Sequence, residues 1–177
     1  MSEGRHGSDA QPPSPAAFTF GPYTIPPSTV FAATALSFAF VNLRPAVPGH
    51  VLVATRASRA LFRDLLPAEV ADVWQLAQRV GVAVTRSFDA KGLQFAVQDG
   101  AASGQTVPHL HIHVVPRRPG DFGRNDDVYE AVEQSEGGLT RLDPARQRDV
   151  QAARADRSAE DMAAEAHTLR EAMRAAA

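Results

Sequence analysis

His109-Leu110-His111-Ile112-His113-Val114-Val115 sets three imidazoles at every second position. Successive side chains of a β-strand point to opposite faces, so this spacing predicts one face lined by all three histidines. Leu110, Ile112 and Val114 take the other face and are able to bury it. An imidazole titrates near neutral pH and serves as nucleophile, proton carrier or metal ligand. Immediately upstream, Asp99-Gly100-Ala101-Ala102-Ser103-Gly104-Gln105-Thr106-Val107 is a glycine-punctuated loop. Such loops turn backbone N–H groups toward anions. Together the two stretches point to histidine chemistry at a phosphorus centre.

The flanking segments supply a sheet for that strand. Leu36-Ser37-Phe38-Ala39-Phe40-Val41-Asn42 reads as a strand, aromatic on one face and small on the other. Arg44-Pro45-Ala46-Val47-Pro48-Gly49 is a turn, and His50-Val51-Leu52-Val53-Ala54 is the antiparallel return. Pro67-Ala68-Glu69 opens the clearest helix, with proline in the first turn and an acid near the positive helix end. Its stripe of Val70, Val73, Trp74, Ala77, Val80, Val84 and Phe88 is read as core. Leu93-Gln94-Phe95-Ala96-Val97-Gln98 alternates as a further strand. Residues 121–157, rich in glycine and charge, are expected to form a mobile loop with a helical turn near Val128-Tyr129-Glu130. Ser158 caps an alanine-rich helix over 158–177, whose Met162, Leu169 and Met173 are available for docking. Residues 1–17, mostly Ser, Pro, Gly and Ala, read as a disordered N-terminal extension. Short connections favour an antiparallel sheet with helices on one side, an α+β fold. Residues 18–120 form its core, and the C-terminal helix belongs to the same domain.

Composition narrows the chemistry. At 177 residues, 44% hydrophobic and 21% charged, the chain is an ordinary globular length and mixture. Without cysteine there is no disulfide, thiolate nucleophile or Cys-ligated metal. A net charge of -2 gives no basic patch for nucleic acid. No apolar run approaches the ~20 residues of a membrane span, and the first residues lack a secretory apolar stretch. A cytoplasmic protein is expected, with the nucleus as a further location.

Three readings of the histidines stand side by side. In the first, one neutral imidazole attacks phosphorus, splitting one displacement into two easier ones. The middle histidine, His111, is best placed for this, and Gln98, Gln105 and the backbone of residues 104–107 offer donors to phosphate oxygens. In the second, His-x-His binds zinc or iron with Asp99 or Asp121 completing the set. In the third, the imidazoles are satisfied within a polar sheet face. His50, at the start of its strand, is placed to orient a triad imidazole by hydrogen bonding. His6 and His167 read as solvated.

The run His109–Val115 after Gly104-Gln105-Thr106-Val107 resembles the histidine-triad signature. Within that superfamily it is most similar to the fragile-histidine-triad branch of dinucleoside polyphosphate hydrolases. Leu36–Asn42, Pro48-Gly49-His50-Val51-Leu52-Val53, Gln98-Asp99-Gly100, Pro116–Phe122, Arg124-Asn125-Asp126 and Glu160–Ala166 carry the likeness. The nucleoside-phosphoramidase branch typically has a Gly-Gly segment where Pro116-Arg117-Arg118 stands here.

The resemblance implies a five-stranded antiparallel sheet with one long helix and a C-terminal helix, dimerising into a continuous ten-stranded sheet. It implies that His111 is the nucleophile in cleaving diadenosine triphosphate to AMP and ADP through a nucleotidyl-histidine. His113 would contact phosphate, with His50 and His109 as an orienting shell. Asn42 would hold the ribose, and Gln98, Gly104, Gln105, Thr106 and Val107 would line the phosphate path. Tyr23 stands where some relatives carry a histidine near adenine. Mg2+ or Mn2+ would arrive on the substrate phosphates, with no permanent metal site. Tyr129 corresponds to a candidate phosphorylation site. A nucleotide-binding signalling module acting as its substrate complex, and a phosphoramidase of the sister branch, are the alternatives.

Overall fold

The computed structural model describes residues 18–135 and 156–175. The expected N-terminal extension and 136–155 of the expected loop lie outside the described residues. Strands β1 (Phe18–Phe20) and β2 (Tyr23–Ile25) form a small hairpin. The main antiparallel sheet contains β3 (Val30–Ala33), β4 (Ser37–Val41), β5 (Val51–Thr55), β6 (Gly92–Ala96) and β7 (His111–Arg117). Its order is β3-β4-β5-β7-β6, which puts the histidine strand inside and β6 at an edge. Among the described residues three α-helices follow the expected chain order: α1 (Pro67–Ser87), α2 (Asp127–Ser135) and α3 (Ala159–Ala175).

Alternation divides the sheet's residues between two layers. Val41, Val51, Val53, Ile112 and Val114 bury one face beneath α1 and α3. Phe38, Phe40, Leu52 and Ala54 face the other way, where Phe18, Phe20 and Ile25 of the hairpin cover them. Both faces of β4 and β5 are therefore buried, which is why these strands carry no charged residue. Their register pairs Ser37 with Thr55 and Val41 with Val51. The turn between them requires Gly49: its φ is +84°, and a Cβ there would fall 2.5 Å from the Phe88 ring.

α1 starts where Pro67 and Glu69 predict, with Leu66 N–H donating to Glu69 Oε2 over 2.8 Å. The Arg118 guanidinium holds its far end through the Phe88 carbonyl. α3 starts after Ser158, whose hydroxyl accepts from Asp161 N–H at 3.0 Å. Ala166, Leu169 and Met173 bury its inner face.

Four local details differ from the sequence reading. β7 begins at His111, because His109 stands in a turn in which its N–H bonds the Val107 carbonyl. Trp74 leaves the α1 stripe and lies over Phe95 at the sheet edge, with Leu76 and Ala83 taking core positions instead. The β1–β2 hairpin has no counterpart in the sequence reading. Residues 127–135 form a full helix rather than a turn, because Val128 and Val132, four apart, bury against Val115.

Candidate active site

β7 projects His111 and His113 onto the face away from α1, opposite Ala54 and Leu52 of β5. His50, His109, His111 and His113 are all buried. The rings of His111 and His113 meet at 65° with centroids 4.9 Å apart.

Backbone groups decide where each proton sits, because an N–H only donates and a carbonyl only accepts. Ala46 N–H donates to His50 Nδ1 over 3.0 Å, so the neutral His50 ring carries its proton on Nε2. That nitrogen donates to His113 Nδ1 over 2.9 Å, leaving His113 protonated at Nε2. His111 Nδ1 stands 2.7 Å from the His109 carbonyl and must be its donor. The lone pair of His111 therefore resides on Nε2. His109 Nδ1 accepts from Gly21 N–H over 3.1 Å, and its Nε2–H donates to the Thr55 carbonyl over 2.7 Å. Burial pushes the His109 imidazole below its ordinary pKa, against the Thr55 bond that raises it. The arrangement sets a lone pair on His111 beside a ring, His113, whose Nε2 is a donor.

The glycine loop is braced from within. Gln105 Oε1 accepts from Gly100 N–H at 2.9 Å, and Gln105 Nε2 donates to the Ala60 carbonyl at 2.8 Å. Its amide is thus committed to shaping the loop. Gly104, at φ +91°, leaves room for Gln98, whose Nε2 lies 2.7 Å from where a Cβ would stand. Gln98 Oε1 is buried and has no hydrogen-bond partner among the described residues. Thr106 is exposed, and Val107 closes the loop against the histidine turn, its carbonyl accepting from His109 N–H at 2.8 Å.

Beside the imidazoles a cleft of about 350 Å³ is lined by Phe20, Tyr23, Asn42, Leu43, Val107 and Met162, among others. Asn42 is buried; its Oδ1 takes the Arg44 N–H at 3.0 Å, while Nδ2 has no partner among the described residues. Leaving a buried donor unpaired costs about 1–3 kcal/mol, so this amide is set up for an acceptor on a ligand. Tyr23 stands exposed at the rim.

The carboxylates considered for a metal point elsewhere. Asp99 Oδ1 accepts from Phe62 N–H at 2.8 Å, and Asp121 is held by Arg117 at 2.7 and 3.0 Å. Among the described residues no three His, Cys, Asp or Glu groups are arranged around a common ion position.

A family profile described as HIT domain matches residues 25–120 of the chain. The chain belongs to the HIT domain family. Over 153 residues it is 46% identical to the bifunctional bis(5'-adenosyl)-triphosphatase/adenylylsulfatase FHIT of Arabidopsis thaliana, covering 86% of this chain and 82% of that protein. It is 44% identical over 115 residues to the asymmetrical bis(5'-nucleosyl)-tetraphosphatase of Schizosaccharomyces pombe, covering 65% of this chain and 63% of that one. The crystal structure of Plasmodium falciparum diadenosine triphosphate hydrolase in complex with Cyclomarin A matches with a TM-score of 0.60 at 32% identity. That match covers 71% of this chain and 86% of the other.

Several residues that shape this HIT domain's site escaped the sequence reading. Phe20 and Gly21 precede the matched span, and Met162 follows it on α3. Arg157 N–H bonds the Leu43 carbonyl, and Arg44 pairs with Asp156 at 2.5 Å, so the start of α3 is tied beside Asn42. The Glu160–Ala166 stretch was legible as a likeness, but nothing in it marked Met162, which packs on the core, as also lining the cleft.

Proposed function

We propose that this HIT domain protein hydrolyses dinucleoside polyphosphates, diadenosine triphosphate foremost, to AMP and ADP. The observation that carries this reading is the His111 tautomer, with Nδ1–H on the His109 carbonyl and the lone pair on Nε2. Nε2 attacks the α-phosphorus, an N–P bond forms, and the P–O bond to the bridging oxygen breaks with its electron pair leaving on ADP. The His109 carbonyl steadies the charge gained by the ring. Water then attacks the nucleotidyl-histidine, the N–P bond breaks, AMP departs, and the water proton passes to solvent. His113 donates from Nε2 to a phosphate oxygen, and Asn42 Nδ2 donates to the ribose. Gln98 and the backbone of residues 104–107 face the remaining phosphates, and the substrate enters as its Mg2+ or Mn2+ complex.

The names of the Arabidopsis and Plasmodium relatives support the triphosphate. The yeast relative's name supports attack on a tetraphosphate by the same group. The chemistry equally expels sulfate from an adenylyl sulfate, the second activity in the Arabidopsis name. We also propose that the protein is a homodimer. Among the described residues its edge strand β6 pairs on one side only, and beside it runs an apolar groove of about 640 Å³ with Trp74, Val82 and Phe95 exposed. Antiparallel pairing of β6 with its copy would give the ten-stranded sheet.

The test is a chromatographic product assay on diadenosine triphosphate, diadenosine tetraphosphate and an adenosine phosphoramidate with magnesium. Wild type should release AMP and ADP from the triphosphate, and His111→Asn should lose about a thousandfold or more in kcat. Normal turnover by His111→Asn overturns the nucleophile. Preference for the phosphoramidate moves the protein to the sister branch.

A further inference from the structure

Phe20 of β1 sets its ring edge-on against His111, with centroids 4.9 Å apart and planes at 89°. The next residue, Gly21, turns the chain with φ +55° and gives its backbone N–H to His109 Nδ1. The seat admits no side chain: a Cβ on Gly21 would stand 2.6 Å from Val107 Cγ1. With Nδ1 occupied as acceptor, His109 holds its proton on Nε2 and donates it to Thr55. The ring is pinned at both nitrogens, one by the hairpin and the other by β5. The backbone carbonyl of the same residue receives Nδ1–H of His111.

We infer that the β1–β2 hairpin is a positioning element for the nucleophile, with the Gly21 amide holding His109 and thereby the carbonyl that fixes the His111 tautomer. The inference rests on His111 being the nucleophile. In the other tautomer Nε2 presents an N–H to phosphorus and has no electron pair to offer. The hairpin's attachment does not depend on the amide, because Phe18, Phe20 and Ile25 pack on Phe38, Phe40 and Leu52. The Phe18 and Phe38 rings are 5.0 Å apart. Loss of the Gly21 bond therefore acts on His109 more than on the fold.

The experiment compares wild type with Gly21→Ala in the full chain, using long-range 1H–15N spectra of the imidazoles and kcat and KM across pH. The variant should show His111 in mixed tautomers and a kcat lower by about tenfold or more, with KM moving less. The acid limb of its kcat profile should move up, because a freed His109 protonates more readily. A folded Gly21→Ala with wild-type tautomer, kcat and profile overturns the inference. If Gly21→Ala does not fold, His109→Asn and His109→Gln decide the matter. Asparagine is able to accept the Gly21 N–H through Oδ1, whereas glutamine reaches the Thr55 carbonyl. Asn should keep the His111 tautomer and more of the kcat than Gln, and an equal or reversed order overturns the inference. The spectra judge the hairpin whether or not His111→Asn retains turnover, so its failure is distinct from failure of the nucleophile assignment.

Discussion

Each of the four buried imidazoles receives its tautomer from a chain of bonds that starts or ends on the backbone. The chain from Ala46 N–H through His50 to His113 makes His113 a donor at Nε2. Removing its middle member leaves His113 Nδ1 without the donor that selects this tautomer. His50→Ala is therefore expected to lower kcat by about ten- to a hundredfold, the usual cost of losing an orienting partner behind a functional histidine. Steady-state kinetics on diadenosine triphosphate checks this, and an unchanged kcat would take His50 out of the orienting shell. The pattern His-x-His-x-His was legible because strand geometry turns a spacing of two into a shared face. The tautomers were not legible, since they depend on Ala46, Gly21 and Thr55, whose backbone groups carry no sequence signal.

At the level of the elements, the histidine strand is clamped where it leaves the sheet. Arg117 donates through two nitrogens to Asp121, bonds Gln94 Oε1 at 3.1 Å and lies over the Phe122 ring at 5.1 Å. The Arg117 guanidinium holds the Asp121 carboxyl down at about 2, well below its ordinary 3.8. A carboxylate whose pKa is lower folded than unfolded stabilises the fold above its unfolded value and loses that contribution as it protonates. The stabilisation is therefore complete above about pH 4 and disappears as pH falls toward 2. Asp121→Asn should cost about 1 kcal/mol at neutral pH, and the gap from wild type should close on acidification. Urea titrations at several pH values measure this, and an equal gap at every pH would mean the charge is not what matters. Long elements with clean periods, β4, β5, α1 and α3, were readable because burial imposes their patterns. β1 and β2 span three residues each, too short for any period, and α2 buries only a few side chains of its nine residues. Trp74 misled because a helical stripe shows which residues share a face, not where the sheet beneath it ends.

At the scale of the whole molecule, one layer of the design is left open. Trp74 on α1 and Phe95 on β6 pack on each other, 6.2 Å between centroids, yet each remains 38% exposed. An apolar groove beside a sheet edge invites a second copy, because edge pairing and burial of the aromatic pair occur together. The bonds that set the four tautomers lie within one chain, so the proposed association would stabilise the fold without supplying any of them. Phe95→Glu and Trp74→Glu are expected to convert a sedimenting dimer into monomer while kcat stays within a few-fold of wild type. A charge buried in that contact would cost several kcal/mol, enough to dissociate a micromolar dimer. Wild-type protein that sediments as a monomer at tens of micromolar removes the dimer altogether. A dimer that survives both substitutions places the contact on another face, and a collapse of kcat on dissociation would mean that the partner chain reaches the site.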